Sequence, residues 1–223
     1  MIVLSDIHAN RPALDAVLAD ADGDTFLFAG DLIGYYPFPN AVVETARDRE
    51  FVGVRGNHDE ALVTGSTFGF RGSAVQGINH TTENITDENR AYIEDLPYTY
   101  RETVDGADIM VVHGSPRSPV EQYVHAAEVD AAFLDRQEID VDVLVMGHTH
   151  VPFAKQAGDT LVLNPGSVGQ PRDGDERASY ATLDLQTRDA EIRRVPYDID
   201  ETAAVVREEG LPERLAERLY QGR

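Results

Sequence analysis

DVDVLVMGHTHVPF, residues 140–153, joins an apolar run to a pair of imidazoles. Val141 to Met146 reads as a strand entering a core, because a short apolar run closed by a turn is a strand signal. Gly147-His148-Thr149-His150 follows at once. Its histidines are either solvent-facing turn residues or nitrogen ligands delivered by the end of a strand.

The same arrangement recurs along the chain. MIVLS runs into Asp6-Ile7-His8, TFLFAG into Asp31, FVGVRG into Asn57-His58-Asp59, and ADIMVV into His113-Gly114. Helical patterns lie between several of these runs, at 12–20 and 40–49. Pro12 suits a first helical turn, with Asn10 as its cap. Strands alternating with helices predict an α/β fold. After residue 150 the rhythm changes to VPFAKQ, TLVLN, ASYATLDL and AEIRRVPYD, separated only by turn residues. These predict neighbouring antiparallel strands that make a second sheet or complete the first. Residues 200–223 read as a helical segment broken at Gly210 and Pro212, with Leu211, Leu215 and Leu219 on one packing face. Residues 64–90 read as irregular. The sequons at Asn79 and Asn84 within them are taken as accidental, because no secretion signal is expected.

Composition narrows the function. The 223 residues fit a single domain spanning 1–223. The absence of cysteine excludes disulfides, thiolate-bound zinc and thiol nucleophiles. The N-terminus enters a strand directly and no apolar run approaches membrane length, so a cytoplasmic protein is expected. Asp and Glu number 40 against 19 basic residues, a formal charge of −21, and Lys155 is the sole lysine. A dispersed, acidic, lysine-poor surface resembles proteins of extreme halophiles, where a Debye length of roughly 3 Å in molar salt screens carboxylate repulsion. The missing basic stripe disfavours stable nucleic-acid binding.

Five of the seven histidines, with Asp6, Asp31 and Asn57, stand where a predicted strand has just ended. Ligands of open α/β sheets bind beyond the carboxyl ends of strands. One such residue is ordinary turn chemistry. Gathered together, they would be costly buried polar groups unless a metal satisfied them. Imidazole and carboxylate without sulfur suit Mn, Fe, Zn, Co or Ni. Two Asp, one Asn and four His suffice for two ions with a shared carboxylate.

The ordered motifs SDIHAN, AGDLIGYYP, VRGNHDE, VVHGSP, GHTHVPF and LNPGSVGQPR span residues 5 to about 172. They resemble the calcineurin-like metallophosphoesterase superfamily, in its small single-domain bacterial and archaeal phosphodiesterase branch. That resemblance implies a four-layer α-β-β-α sandwich with two mixed β-sheets. It implies two divalent metal ions, manganese foremost, held by Asp6, His8 and His150 on one side and by Asn57, His113 and His148 on the other. Asp31 would bridge them. It implies hydrolysis of a small phosphodiester or phosphomonoester, a nucleotide among the candidates, by attack of a metal-bridging hydroxide. His58, protonated, would be the general acid for the leaving group.

One departure is informative. Protein serine/threonine phosphatases of this superfamily continue Gly-Asp to Asp-Arg-Gly, supplying an acid that orients the histidine and an arginine that grips phosphate. Here the run is Gly30-Asp31-Leu32-Ile33-Gly34-Tyr35-Tyr36, which argues against a phosphoprotein phosphatase. Asn10 and Arg172 are candidate substrate contacts, with an N-cap and a surface ion pair as their respective alternatives. Arg55 is a similar candidate beside Asn57, and His80 and His125 match no ligand motif. The alternative function is a non-catalytic scaffold or regulatory module on the same fold, as in the retromer scaffold subunit; a nuclease is disfavoured for want of a basic groove. A homo-oligomer is compatible with the sequence.

Overall fold

A computed structural model describes all residues, 1–223. From the N-terminus its elements are β1 (Ile2–Leu4), α1 (Arg11–Asp20), β2 (Phe26–Phe28), α2 (Pro39–Asp48), β3 (Val52–Gly53) and α3 (Asn57–Thr64). Next come α4 (Ser73–Asn84), α5 (Asp87–Asp95), β4 (Thr99–Val104), β5 (Ala107–Val112), α6 (Ala131–Gln137) and β6 (Val143–Val145). The last are β7 (Phe153–Ala157), β8 (Thr160–Asn164), β9 (Ala178–Asp184), β10 (Asp189–Val195), α7 (Ile199–Glu208) and α8 (Glu213–Leu219).

The strands form two five-stranded mixed sheets, ordered β10-β9-β1-β2-β3 and β4-β5-β6-β8-β7. β1, β2 and β3 run parallel, as do β5, β6 and β8. Alternation along the strands explains the layers. In β1, Val3 faces the layer between the sheets with Val143, Val145 and Leu163, while Ile2 and Leu4 face α1 and α2. In the opening stretch, Val143 and Val145 point between the sheets, and Val141, Leu144 and Met146 point to α6. A strand buried on both faces reads as a continuous apolar run, and that pattern marks β6 as the middle of a sandwich. The result is the four-layer α/β architecture. No helix is long and apolar enough to cross a membrane.

The strands after residue 150 divide between the sheets. β7 and β8 complete the second sheet, and β9 and β10 the first. β7 pairs antiparallel with β8 and β9 with β10, as expected, while β8 also runs parallel to β6. The correction concerns residues 64–90, which are helical over most of their length. α4 buries Ala74, Gly77, Ile78 and Thr81, a helical spacing filled mostly by small or polar residues. No apolar periodicity therefore marks it. Its face must be small because a Cβ on Gly77 would meet the backbone nitrogen of Tyr35 at 2.5 Å. Within this segment, residues 65–72 and the two-residue link 85–86 lack regular structure. The C-terminal helices pack inward as expected. Leu215 and Leu219 are buried with Tyr36, whose hydroxyl donates to the carbonyl of Leu215 at 3.3 Å.

Candidate metal centre

The loops after β1, β2, β5 and β6, with the N-terminus of α3, meet at one edge of the two sheets. Asp6, His8, Asp31, His148 and His150 all have positive φ, between 52° and 66°. Asp and His tolerate this left-handed region better than β-branched residues, though each still costs on the order of 1 kcal/mol. The strained backbone is held by cross-loop hydrogen bonds: Asp6 N–H to the Gly30 carbonyl (3.0 Å), His8 N–H to the Asp31 carbonyl (3.0 Å) and Gly147 N–H to the His113 carbonyl (2.9 Å). Asn164 pins the histidine turn by donating to the Gly147 carbonyl at 2.7 Å, and Ser167 donates to the Asp6 carbonyl at 2.7 Å.

This geometry sends the two histidines of GHTH to different neighbours. His150 Nε2 lies 3.1 Å from His8 Nε2 and 3.2 Å from Asp6 Oδ1. His148 Nδ1 lies 3.0 Å from His113 Nε2, which is also 3.0 Å from Asn57 Oδ1. Asp31 Oδ2 stands between the groups, 3.6 Å from His8 Nε2 and 3.4 Å from His113 Nε2. The seven expected metal ligands are thus brought together. His58 also approaches, forming with His8 and Asp31 a group whose ligand atoms lie within 4.8 Å of one another.

The hydrogen bonding around the cluster fits a cation. His8 Nδ1 faces the carbonyl of Ile33 at 3.2 Å and His150 Nδ1 the carbonyl of Gln170 at 2.6 Å. A carbonyl only accepts, so each Nδ1 carries the proton and each Nε2 presents a lone pair. These lone pairs converge with Asp6 Oδ1, a buried oxygen that has no hydrogen-bond donor. Three acceptors facing one another without a proton repel unless a positive charge lies between them.

Protonation follows the same pattern. Burial alone would raise the carboxyls of Asp6 and Asp31, but histidine charge, His113 acting on both, holds them well below the usual carboxylate range. Burial lowers His8 and His150, and takes His148 down to about 3. Ionised carboxylates and neutral imidazoles are the states that bind metal. His113 differs: against the effect of burial, Asp31 and Asp6 raise it to about 9, so in the metal-free protein it holds a proton that a cation would displace.

His58 lines the cleft above this cluster, with Tyr35, Phe70, Tyr123 and Arg172. Its ring is packed by aromatic groups: Tyr35 at 4.5 Å, Phe70 at 4.6 Å and His8 at 4.7 Å between centroids. Its Nδ1 is buried without a hydrogen-bond partner. Gly34, where the protein phosphatases place their orienting acid, closes that side; a Cβ there would lie 2.3 Å from Nδ1. In the metal-free protein burial takes His58 down to about 4, against the expected imidazolium. A histidine in an apolar aromatic box, with no acid on its outer nitrogen, stays neutral.

The structure separates the weaker candidates. Asn10 is fully buried and turned into the scaffold. Its amide donates to the Gly169 carbonyl (2.8 Å) and Tyr197 hydroxyl (3.3 Å), and its oxygen accepts from Thr202 (2.9 Å) and from Ala13 N–H (3.4 Å). It is the cap of α1, and the expected substrate contact is not seen. Asn10→Ala should lower stability by about 1–3 kcal/mol while kcat/KM stays within about threefold; a tenfold fall in kcat/KM at unchanged stability would restore it as a substrate contact. Arg55 is nearly buried and paired with Glu60 at 2.8 Å, away from the cleft. His80 and His125 lie outside the cleft. Arg172 lines it and makes no ion pair; its guanidinium sits 5.7 Å from the centre of the Tyr35 ring and donates to the Tyr35 hydroxyl at 3.1 Å.

Residue types alone missed Asp59. Its buried carboxylate accepts from the backbone of Asp31 (2.8 Å), Gly56 (2.9 Å) and Ile33 (3.3 Å), fixing the loop that carries Asp31. Burial and the neighbouring Asp31 carboxylate push it up to about 7. Its place three residues after the Gly56 cap, a common site for an acid at a helix start, was the available signal.

Comparison with known proteins agrees with this geometry. Residues 1–188 match the calcineurin-like phosphoesterase superfamily domain. A protein of Methanocaldococcus jannaschii is 35% identical over 99% of this chain and 97% of its own length. The phosphodiesterase YfcE of Escherichia coli is 56% identical over a shorter stretch, 19% of this chain and 23% of its own. The crystal structure of a metallophosphoesterase from Sphaerobacter thermophilus superposes with a TM-score of 0.85 at 37% identity, covering 100% of this chain and 98% of that one. The chain belongs to the calcineurin-like phosphoesterase superfamily and is a metal-dependent hydrolase of phosphoester bonds.

Proposed function

We propose that the centre is binuclear and hydrolyses a small phosphodiester or phosphomonoester. The observation that carries this reading is the convergence of the His8, His150 and Asp6 acceptors, paired with a second ligand group that faces the same Asp31 oxygen. Asp6, His8 and His150 would hold one ion, Asn57, His113 and His148 the other, and Asp31 both. Manganese is the first choice for this nitrogen–oxygen set, with Fe, Zn, Co and Ni also compatible. Two divalent cations bound there supply charge for the phosphoryl oxygens and a water of lowered pKa.

The protein's own groups do the rest. Arg172, free of any carboxylate, binds a non-bridging oxygen of the phosphoryl group. His58 donates a hydrogen bond from its neutral ring to the leaving oxygen. Phe70 and Tyr35 keep water from that side of the ring. The test is elemental analysis of protein reconstituted with manganese, with assays on bis(p-nitrophenyl) and p-nitrophenyl phosphate. Bound metal with hydrolysis of either ester is expected. No metal and no hydrolysis would leave the scaffold alternative standing.

We also infer adaptation to high salt from the charge of −21 and the single lysine. Screening of surface carboxylates should raise the melting temperature by roughly 5–10 °C between 0.1 and 2 M KCl, about 2–3 kcal/mol for a domain of this size. A flat melting temperature across that range would refute it.

A further inference from the structure

The chain exposes five large hydrophobic side chains, and two of them, Phe68 (96% exposed) and Tyr123 (53% exposed), stand on the rim of the metal cleft. Two others, Tyr98 and Tyr220, hydrogen-bond through their hydroxyls to Glu60 and Asp200, so their exposure has a local partner. Phe68 has none. It projects from residues 65–72, where Gly65, Gly69 and Gly72 all have positive φ and open space at the Cβ position. The one ring of this loop that packs is Phe70, set edge-on to His58. Tyr123, which also lines the cleft, lies against the ring of His148, with centroids 3.8 Å apart and planes at 31°. Arg71, beside Phe70 and also lining the cleft, makes no ion pair in a chain with about twice as many acids as bases.

Exposed aromatic rings and unpaired guanidinium groups around a phosphate-chemistry site share one complementary ligand, a flat π-system joined to a phosphate. Isolated surface hydrophobics need no explanation, but these are grouped at a single cleft rather than scattered. We propose that the substrate is a nucleoside phosphate ester whose base stacks on Phe68 and Tyr123 at the rim while its phosphoryl group occupies the metal end. Phe68 is the specificity-determining residue. The inference rests on the phosphoesterase reading of the metal cleft and adds what the ester carries. Stacking accepts every base, because each has a π-face, so preference among bases is weak. A long polynucleotide is disfavoured, because the chain as a whole carries a net charge of −21.

Competition against the hydrolysis of bis(p-nitrophenyl) phosphate by the manganese-loaded enzyme separates the two levels of the argument. The probes are adenosine 5′-monophosphate and ribose 5-phosphate, which differ only in the base. The nucleotide should inhibit with a Ki roughly tenfold lower or better, in line with base–aromatic stacking. Phe68→Ala should bring the ratio of the two Ki values close to one, and Phe68→Tyr should restore it. Equal Ki values in the unaltered enzyme would overturn the proposal while the phosphoesterase reading stands. Absence of hydrolysis of both bis(p-nitrophenyl) and p-nitrophenyl phosphate without inhibitor would instead overturn that reading, and this proposal with it. A Phe68→Ala protein that sediments differently but keeps the ratio would assign Phe68 to a contact between proteins, which also overturns the proposal.

Discussion

Asp31→Asn is expected to lower kcat/KM by about 10²- to 10³-fold, in the range found when a charge-stabilising group is removed from a preorganised site, while the fold persists. The substitution is nearly isosteric, and its effect follows from the two faces of the side chain. Asp31 Oδ1 accepts the backbone N–H of His58 at 2.8 Å. An asparagine must keep its oxygen there, because an amide N–H facing another N–H repels. Its NH₂ group then replaces Oδ2, the atom facing both His8 and His113. A donor stands where a shared anion is required. Bound metal should fall from two ions per chain to one or none, with the melting temperature of the metal-free protein lowered, since Asp31 is the buried partner of a protonated His113 and its loss leaves that charge uncompensated. Two ions retained with near-normal turnover would show that Asp31 does not bridge.

His58→Ala should discriminate among leaving groups. Hydrogen-bond donation to the departing oxygen matters most when that oxygen is basic. Alkyl phosphoesters should lose about 10²- to 10³-fold in kcat, and p-nitrophenyl esters less than about tenfold. The pH profile gives a separate check. With its pKa depressed to about 4, His58 is neutral throughout the neutral range. Hydrolysis of alkyl esters should therefore show no decline, as pH rises through 6–7, that the alanine variant abolishes. Such a decline would mean that an imidazolium donates, and that bound substrate raises the pKa of His58 against its aromatic surroundings. Equal losses on both classes of ester would remove the leaving-group role.

Both predictions concern residues visible in the sequence, in roles that geometry refined. The polar ends of the strands are local features. A run such as Val143–Met146 is readable because a strand buried on two faces has no polar position, and the Gly147 turn that ends it must expose whatever follows to the sheet edge. Asp6, Asp31, Asn57 and the histidines are therefore legible as a group from residue type and position. α4 was not legible, because close contact with Tyr35 demands a helix face of Ala, Gly and Thr, which carries no hydrophobic period. Asn10 shows a different difficulty. Beside a ligand motif, cap and substrate contact call for the same residue, and only Thr202, 192 positions away, together with Gly169, shows that its amide is already engaged.

By itself, then, the sequence determined the α/β class, the core strand at β6 and the set of residues gathered at the sheet edge, because strand periodicity and turn chemistry act over a few residues. Only the tertiary structure decided how closely His150 approaches Asp6 and His8 and His148 approaches His113, that aromatic groups pack the His58 ring, and that Asp59 holds the Asp31 loop. Those outcomes depend on packing and on backbone partners from distant loops, and neither is encoded in any local pattern.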